Sequence, residues 1–141
     1  MIKSLYQNKT LLKTIFCLWL IFIAIVSSLP NIPTQEINIW DEPFRLDYLE
    51  HFGVFAILFG LFVLWKSDEN GFFSVKKYYL FILGLLLFAV IDEIHQLWIS
   101  GRSYNPLDLI YNLLGSISGM YFTKFSLRKI IKKIMLTDDT I

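Results

Sequence analysis

The sequence predicts an all-α polytopic membrane protein, a compact four-transmembrane-helix bundle with both termini cytoplasmic. Composition points there first: of 141 residues, 55% are hydrophobic and only 18% charged, against about 25% charged in an ordinary soluble domain. Apolar residues then gather into segments at roughly 11–29, 49–65, 78–98 and 107–123, each near the ~20 residues a bilayer-crossing helix needs. Basic residues also alternate between the connections in the manner that orients such helices. No internal repeat or low-complexity tract interrupts the chain. Residues 1–141 therefore read as one domain, with 124–141 a basic cytoplasmic tail.

The first segment follows Lys3, Lys9 and Lys13 and ends in Val26-Ser27-Ser28, a small-residue pattern that a secretory signal also carries. Its apolar stretch is longer than a usual signal core, so a retained helix is the expectation. Lys66, Lys76 and Lys77 fall in the second connection, and Lys124, Arg128, Lys129, Lys132 and Lys133 follow the last segment. The first connection holds Glu36, Asp41, Glu42 and Asp47 against Arg45, and the third has only Arg102. The positive-inside rule puts both chain ends in the cytoplasm and the first and third connections outside. Trp40, Trp65 and Trp98 lie near span ends, where interfacial anchors belong.

The second helix enters from outside with Asp47, Glu50 and His51, which at 100° per residue share an arc of about 100°. The third travels outward. Counted from Tyr78, Asp92 lies about 21 Å along a ~30 Å hydrocarbon core. Glu93 and His95 flank the stripe made by Asp92 and Gln96, and Gly101 suits a left-handed cap after the helix. The fourth helix opens at Asn105-Pro106, a favoured cap followed by a favoured first residue. Asp108, Asn112, Gly115 and Gly119 then form one narrow stripe, and the Gly115-x-x-x-Gly119 spacing permits close approach of another helix.

The most informative stretch is therefore Ile91 to Gly119, polar residues set in a membrane-grade apolar background. Ionisable groups at such depth are costly and are rarely kept without a partner or a task. Asp47, Glu50, His51, Asp92, Glu93, Gln96, Arg102, Asp108 and Asn112 are expected to meet at the outer helix ends. So many carboxylates cannot all stay ionised and unpaired together. They must be protonated, paired with Arg102 or His51, or neutralised by a cation. A net charge of +1 and the lack of a recognition module argue against nucleic-acid binding. Cys17, the sole cysteine, excludes intrachain disulfides and cysteine metal clusters.

At these residues the chain resembles the VanZ-like family, named for a protein associated with low-level teicoplanin resistance. The resemblance runs from Ser27-Ser28-Leu29-Pro30 to Gly119. It is carried by Asp92-Glu93-x-x-Gln96 leading to Gly101-Arg102, by Asp108-x-x-x-Asn112-x-x-Gly115, and by Asp47-x-x-x-His51. Two positions depart from the family's habit: Tyr48 stands where Lys is frequent, and Ser100-Gly101-Arg102 where Pro-Gly-Arg is. The resemblance implies a multi-pass protein of the bacterial cytoplasmic membrane with a part in the cell envelope, and it supplies candidate residues rather than a reaction.

Three readings of the polar cluster stay open. As an enzyme acting on an envelope lipid or lipid-linked precursor, it would use Glu93 as general acid or base, assisted by Asp92. His51 would be the proton partner oriented by Asp47, and Arg102, Gln96, Asp108 and Asn112 would bind the substrate. As a non-catalytic binder, the same cavity would hold an envelope ligand or a glycopeptide. As a structural network, it would fix helix register, with His95 merely interfacial. No cofactor is expected. A divalent cation is conceivable because Asp, Glu, His and Asn can ligate one, although no dedicated metal-binding spacing is present and no metal ligand is assigned.

Overall fold

The computed structural model describes residues 6–31, 36–39 and 42–138. Lys3, Trp40 and Asp41, singled out above for topology and anchoring, lie outside the described residues. Four long helices form in chain order: α1 (Lys9–Ser27), α2 (Asp47–Lys66), α3 (Val75–His95) and α4 (Pro106–Asp138). Among the described residues, three segments are long and apolar enough to cross a membrane, namely Lys9–Ser27, Asp47–Lys66 and Val75–Trp98. The fourth expected span falls on α4, which is long enough but not clearly apolar enough. Asp108, Asn112, Ser116 and its glycines dilute its first half. This helix also runs past the expected end at Thr123, carrying the basic stretch as continuous helix to Asp138.

Local chemistry explains the boundaries. Asn8 caps α1 by accepting from the Leu11 N–H at 3.0 Å, and Ser74 caps α3 by accepting from the Lys77 N–H at 3.3 Å. Asn105 caps α4 as expected, its Oδ1 accepting from the Leu107 N–H at 3.1 Å, with Pro106 as the first helical residue. Gly101 does take a left-handed φ of 75°, but it is not the cap of α3. The helix passes through a 3₁₀ turn at Gln96–Trp98, and Gly101 sits in a following turn closed by the Arg102 N–H and the Ile99 carbonyl at 3.1 Å. That is the position where a type II turn needs glycine. An unanticipated antiparallel hairpin, β1 (Glu36–Ile39) with β2 (Glu42–Arg45), occupies the first connection and pairs Glu36 with Arg45.

The bundle is built around α2. Phe55, Leu58, Phe59, Phe62 and Val63 of this helix are buried against Phe16 and Ile23 of α1, Phe73, and Leu85 and Ala89 of α3. Phe62 stacks on Phe81 with ring centroids 4.7 Å apart. α2 and α4 meet backbone to backbone: a Cβ on Gly115 would lie 2.2 Å from the Phe52 carbonyl oxygen, and one on Gly119 2.1 Å from that of Ala56. The glycine stripe is thus a packing surface. Outward faces are apolar instead of polar, with Leu18, Ile21 and Ile25 of α1, Leu80, Leu83 and Leu87 of α3, and Ile110, Leu113 and Ile117 of α4 all exposed. Lipid is the solvent that suits such a surface.

Candidate functional site

One end of the bundle gathers the C-termini of α1 and α3 with the N-termini of α2 and α4. All nine residues expected to meet stand there. Glu93 is completely buried, and Asp92, Gln96, Asp108 and Asn112 are buried beside it. Their helices put them there for simple reasons. Asp92, Glu93 and Gln96 occupy the last turn of α3 and the turn after it, Asp108 and Asn112 lie one turn apart on α4, and His51 lies one turn into α2.

His51 is the hub. Its Nδ1 lies 3.1 Å from Asn112 Oδ1 and 3.2 Å from Glu93 Oε1, while its Nε2 faces Asp108 Oδ2 at 3.8 Å. Asn112 Nδ2 donates to Glu93 Oε1 at 3.1 Å, so one amide side chain ties the acid to the imidazole. Asn105 Nδ2 donates to the other Asp108 oxygen at 3.2 Å. On the α1 side, Ser27 Oγ donates to Asp92 Oδ1 at 2.5 Å. Glu93 Oε2 is buried and has no hydrogen-bond partner among the described residues.

One expected role needs correction, and one residue carries an added task. Asp47 does not orient His51. Its carboxylate pairs with the Arg45 guanidinium, and the acids facing the imidazole are Glu93 and Asp108. Although burial works against the Arg45 charge, this pairing holds its pKa above the ordinary value. Arg102 is partly committed to structure: its Nη2 donates to the Val26 carbonyl at 3.1 Å and its Nε to that of Leu29 at 3.3 Å. It thereby satisfies carbonyls at the C-terminal end of α1. His95 stays outside the cluster, its ring 6.4 Å from that of Trp98, and Glu50 is exposed at the rim.

Two cavities open onto the cluster. A crevice of about 80 Å³ runs between α1 and α2, apolar along Phe22, Val26 and Val54 and polar at His51, Asp92 and Arg102. A smaller cavity of about 40 Å³ is almost wholly polar and includes Arg45, Asp47, His51, Arg102 and Asp108. His51, Gln96 and Arg102 line both. They stand between a charged vestibule and an amphipathic crevice.

Sequence reasoning missed Ser27, Arg45 and Asn105 as members of this site. Ser27 was legible only as a small residue near a span end, and Asn105 only as a cap. Arg45 was visible as the one base of the first connection. It resolves the departure at Tyr48: the cation that meets Asp47 comes from Arg45, while Tyr48 stacks on Tyr111 at 4.8 Å and lies under the Arg45 guanidinium at 5.4 Å.

No significant match is found among curated proteins or among solved structures. The family model for VanZ/LLP1 matches residues 7–128, which takes in every side chain of the cluster. With three helices of membrane-crossing length and apolarity, the chain is a membrane protein of the VanZ/LLP1 family.

Proposed function

We propose that the cluster is an outward-facing site that binds, and acts by acid–base chemistry on, the anionic head group of an envelope lipid or lipid-linked precursor. The observation that carries this reading is the junction of the two cavities. Arg45 and Arg102 border the polar one, and the amphipathic one leads along Phe22, Val26 and Val54. A head-group phosphate suits the arginines, and the first methylenes of an acyl or prenyl chain suit the crevice. A volume of about 80 Å³ is far below the roughly 300–1,000 Å³ of drug-sized pockets, so a small head group is favoured over a glycopeptide enclosed within the bundle.

Placement in the membrane follows the charge pattern. Both termini lie in the cytoplasm of a bacterial inner membrane, α4 crosses as a fourth span, and the cluster opens to the outer leaflet. The exposed apolar face of α4 supports that crossing. In catalysis Glu93 exchanges a proton through His51, while Arg102 and Gln96 position the head group. Non-catalytic capture of the same head group is the second reading, favoured by the commitment of Arg102 to two carbonyls. A purely structural network is less well supported, since Glu93 Oε2, Asp47 Oδ1 and Arg45 Nε are buried without hydrogen-bond partners among the described residues, whereas structural networks are normally satisfied.

The test is thermal unfolding of the purified protein with short-chain phosphatidic acid against phosphatidylcholine. Phosphatidic acid should raise the melting temperature of the wild type, less so that of Arg102→Lys, which keeps charge but loses the forked donor geometry. Equal effects of the two lipids would refute the reading. Release of inorganic phosphate would distinguish turnover from capture.

A further inference from the structure

The geometry points to a divalent transition-metal site formed by His51, Glu93 and Asp108, which we propose takes Mn²⁺ or Zn²⁺. It deepens the reading above, resting on it only for what the ion would act upon. With the ion bound, His51 and Glu93 serve as ligands in place of the proton exchange proposed there. One donor atom from each of the three residues lies within 4.8 Å of the other two. The separation of His51 Nε2 from Asp108 Oδ2, 3.8 Å, is too long for a hydrogen bond. Two metal–ligand bonds of about 2.0–2.2 Å bridge it at an open angle.

The second observation is the state of Glu93. This carboxylate is fully buried, yet its Oε2 has no hydrogen-bond partner among the described residues, while its Oε1 is held by Asn112 and faces His51. Leaving one buried carboxylate oxygen without a partner is costly, and a cation is a partner that offsets it.

The surroundings have the form of ligand support. Asn112 Oδ1 lies against His51 Nδ1, which fixes the tautomer that leaves the Nε2 lone pair turned toward Asp108. Asn112 Nδ2 steadies Glu93, and Asn105 Nδ2 steadies Asp108 through the oxygen that does not face the imidazole. His51 and Asp108 thus each have one atom held and the other facing across the gap. Glu93 has one oxygen held and one without a hydrogen-bond partner among the described residues. Hydrogen bonds from neighbouring side chains orient metal ligands elsewhere in this way. One imidazole with two carboxylates suits a first-row divalent ion better than Ca²⁺ or Mg²⁺, which favour all-oxygen sites. Such an ion offsets the negative charge of the cluster. It also offers a Lewis acid to a phosphate oxygen or a water molecule at the edge of the polar cavity.

The experiment uses the full chain, purified in detergent with a histidine-free tag, stripped with EDTA and dialysed against Mn²⁺ or Zn²⁺ without added lipid. Metal content is read by mass spectrometry, and melting temperature is followed on titration with each ion. Equimolar retention by the wild type is expected, with a rise in melting temperature that EDTA reverses. Glu93→Gln should lose retention. Asn112→Ala should bind roughly 10- to 100-fold more weakly. Cys17→Ser and His95→Ala, whose side chains lie outside the cluster, should bind as the wild type does. Absence of retention and of any melting shift in the wild type overturns the site, whatever the variants do. Equal retention by Glu93→Gln, or loss in Cys17→Ser, also overturns it. Because no lipid is present, metal binding without a phosphatidic acid effect defeats only the lipid reading, and the converse defeats only the metal site.

Discussion

His51 Nδ1 and Glu93 Oε1 lie 3.2 Å apart, joining the first turns of α2 to the last turn of α3. Asn112 of α4 touches both, so three helices share one buried polar contact. The side chains closest to any chemistry are also those that fix the relative rotation of the helices. Changes here will therefore mix effects on stability and function, and separating them governs the choice of variants.

Ser27→Ala removes the hydroxyl that donates to Asp92. A buried acceptor deprived of its donor costs about 1–3 kcal/mol. The variant should melt lower, whereas the paired change with Asp92→Asn should recover part of the loss. Equal melting of Ser27→Ala and wild type would mean that this contact contributes nothing.

Gly115→Ala and Gly119→Ala force a methyl onto the Phe52 and Ala56 carbonyls. Overpacking of this kind costs about 1–3 kcal/mol or more, and backbone atoms cannot rotate out of the way. Both variants should unfold earlier than Gly84→Ala or Gly53→Ala, where an added Cβ meets nothing within 4 Å. Indistinguishable melting across the four would contradict the close α2–α4 contact.

Tyr48→Lys installs the residue frequent in the family at the price of the ring stack with Tyr111. The stack is worth about 0.5–1.5 kcal/mol beyond burial. With Arg45 retained, the second cation brings no compensating gain, and stability should fall. In Arg45→Gln the same Tyr48→Lys change should be far less costly, because Lys can then meet Asp47. Additive effects would rule out that substitution of roles.

Topology can be read on whole cells. Ser103 is exposed beside Arg102, so Ser103→Cys in a Cys17→Ser background should react with a membrane-impermeant maleimide added outside. Labelling only after lysis would place the cluster in the cytoplasm and remove the outer-leaflet reading.

Much of this was legible in the sequence because membranes impose strong rules. Apolar runs near bilayer length became three candidate spans, and i, i+4 spacing correctly put Asp108 on one stripe with Asn112. The Asn105-Pro106 start was also legible, since caps are local chemistry. What escaped depended on tertiary pairing. That Asp47 turns to Arg45 and leaves His51 to Glu93 and Asp108 is set by how α2 rotates against α3 and α4, which no spacing encodes. The hairpin escaped because its strands are four residues each, too short for alternation to register. The fourth helix was misjudged in length because apolarity, the guide used, ends before helicity does.

On the proposed function, Glu93 is kept buried for chemistry and not for stability. Thermal unfolding of wild type and Glu93→Gln, side by side in one detergent with EDTA present, tests it most directly. Gln preserves shape and an oxygen for Asn112 while removing a charge that is costly to bury. An unchanged or higher melting temperature is expected for Glu93→Gln, together with loss of the phosphatidic acid effect. A clearly lower melting temperature with the lipid effect intact would contradict it and make the cluster a structural network.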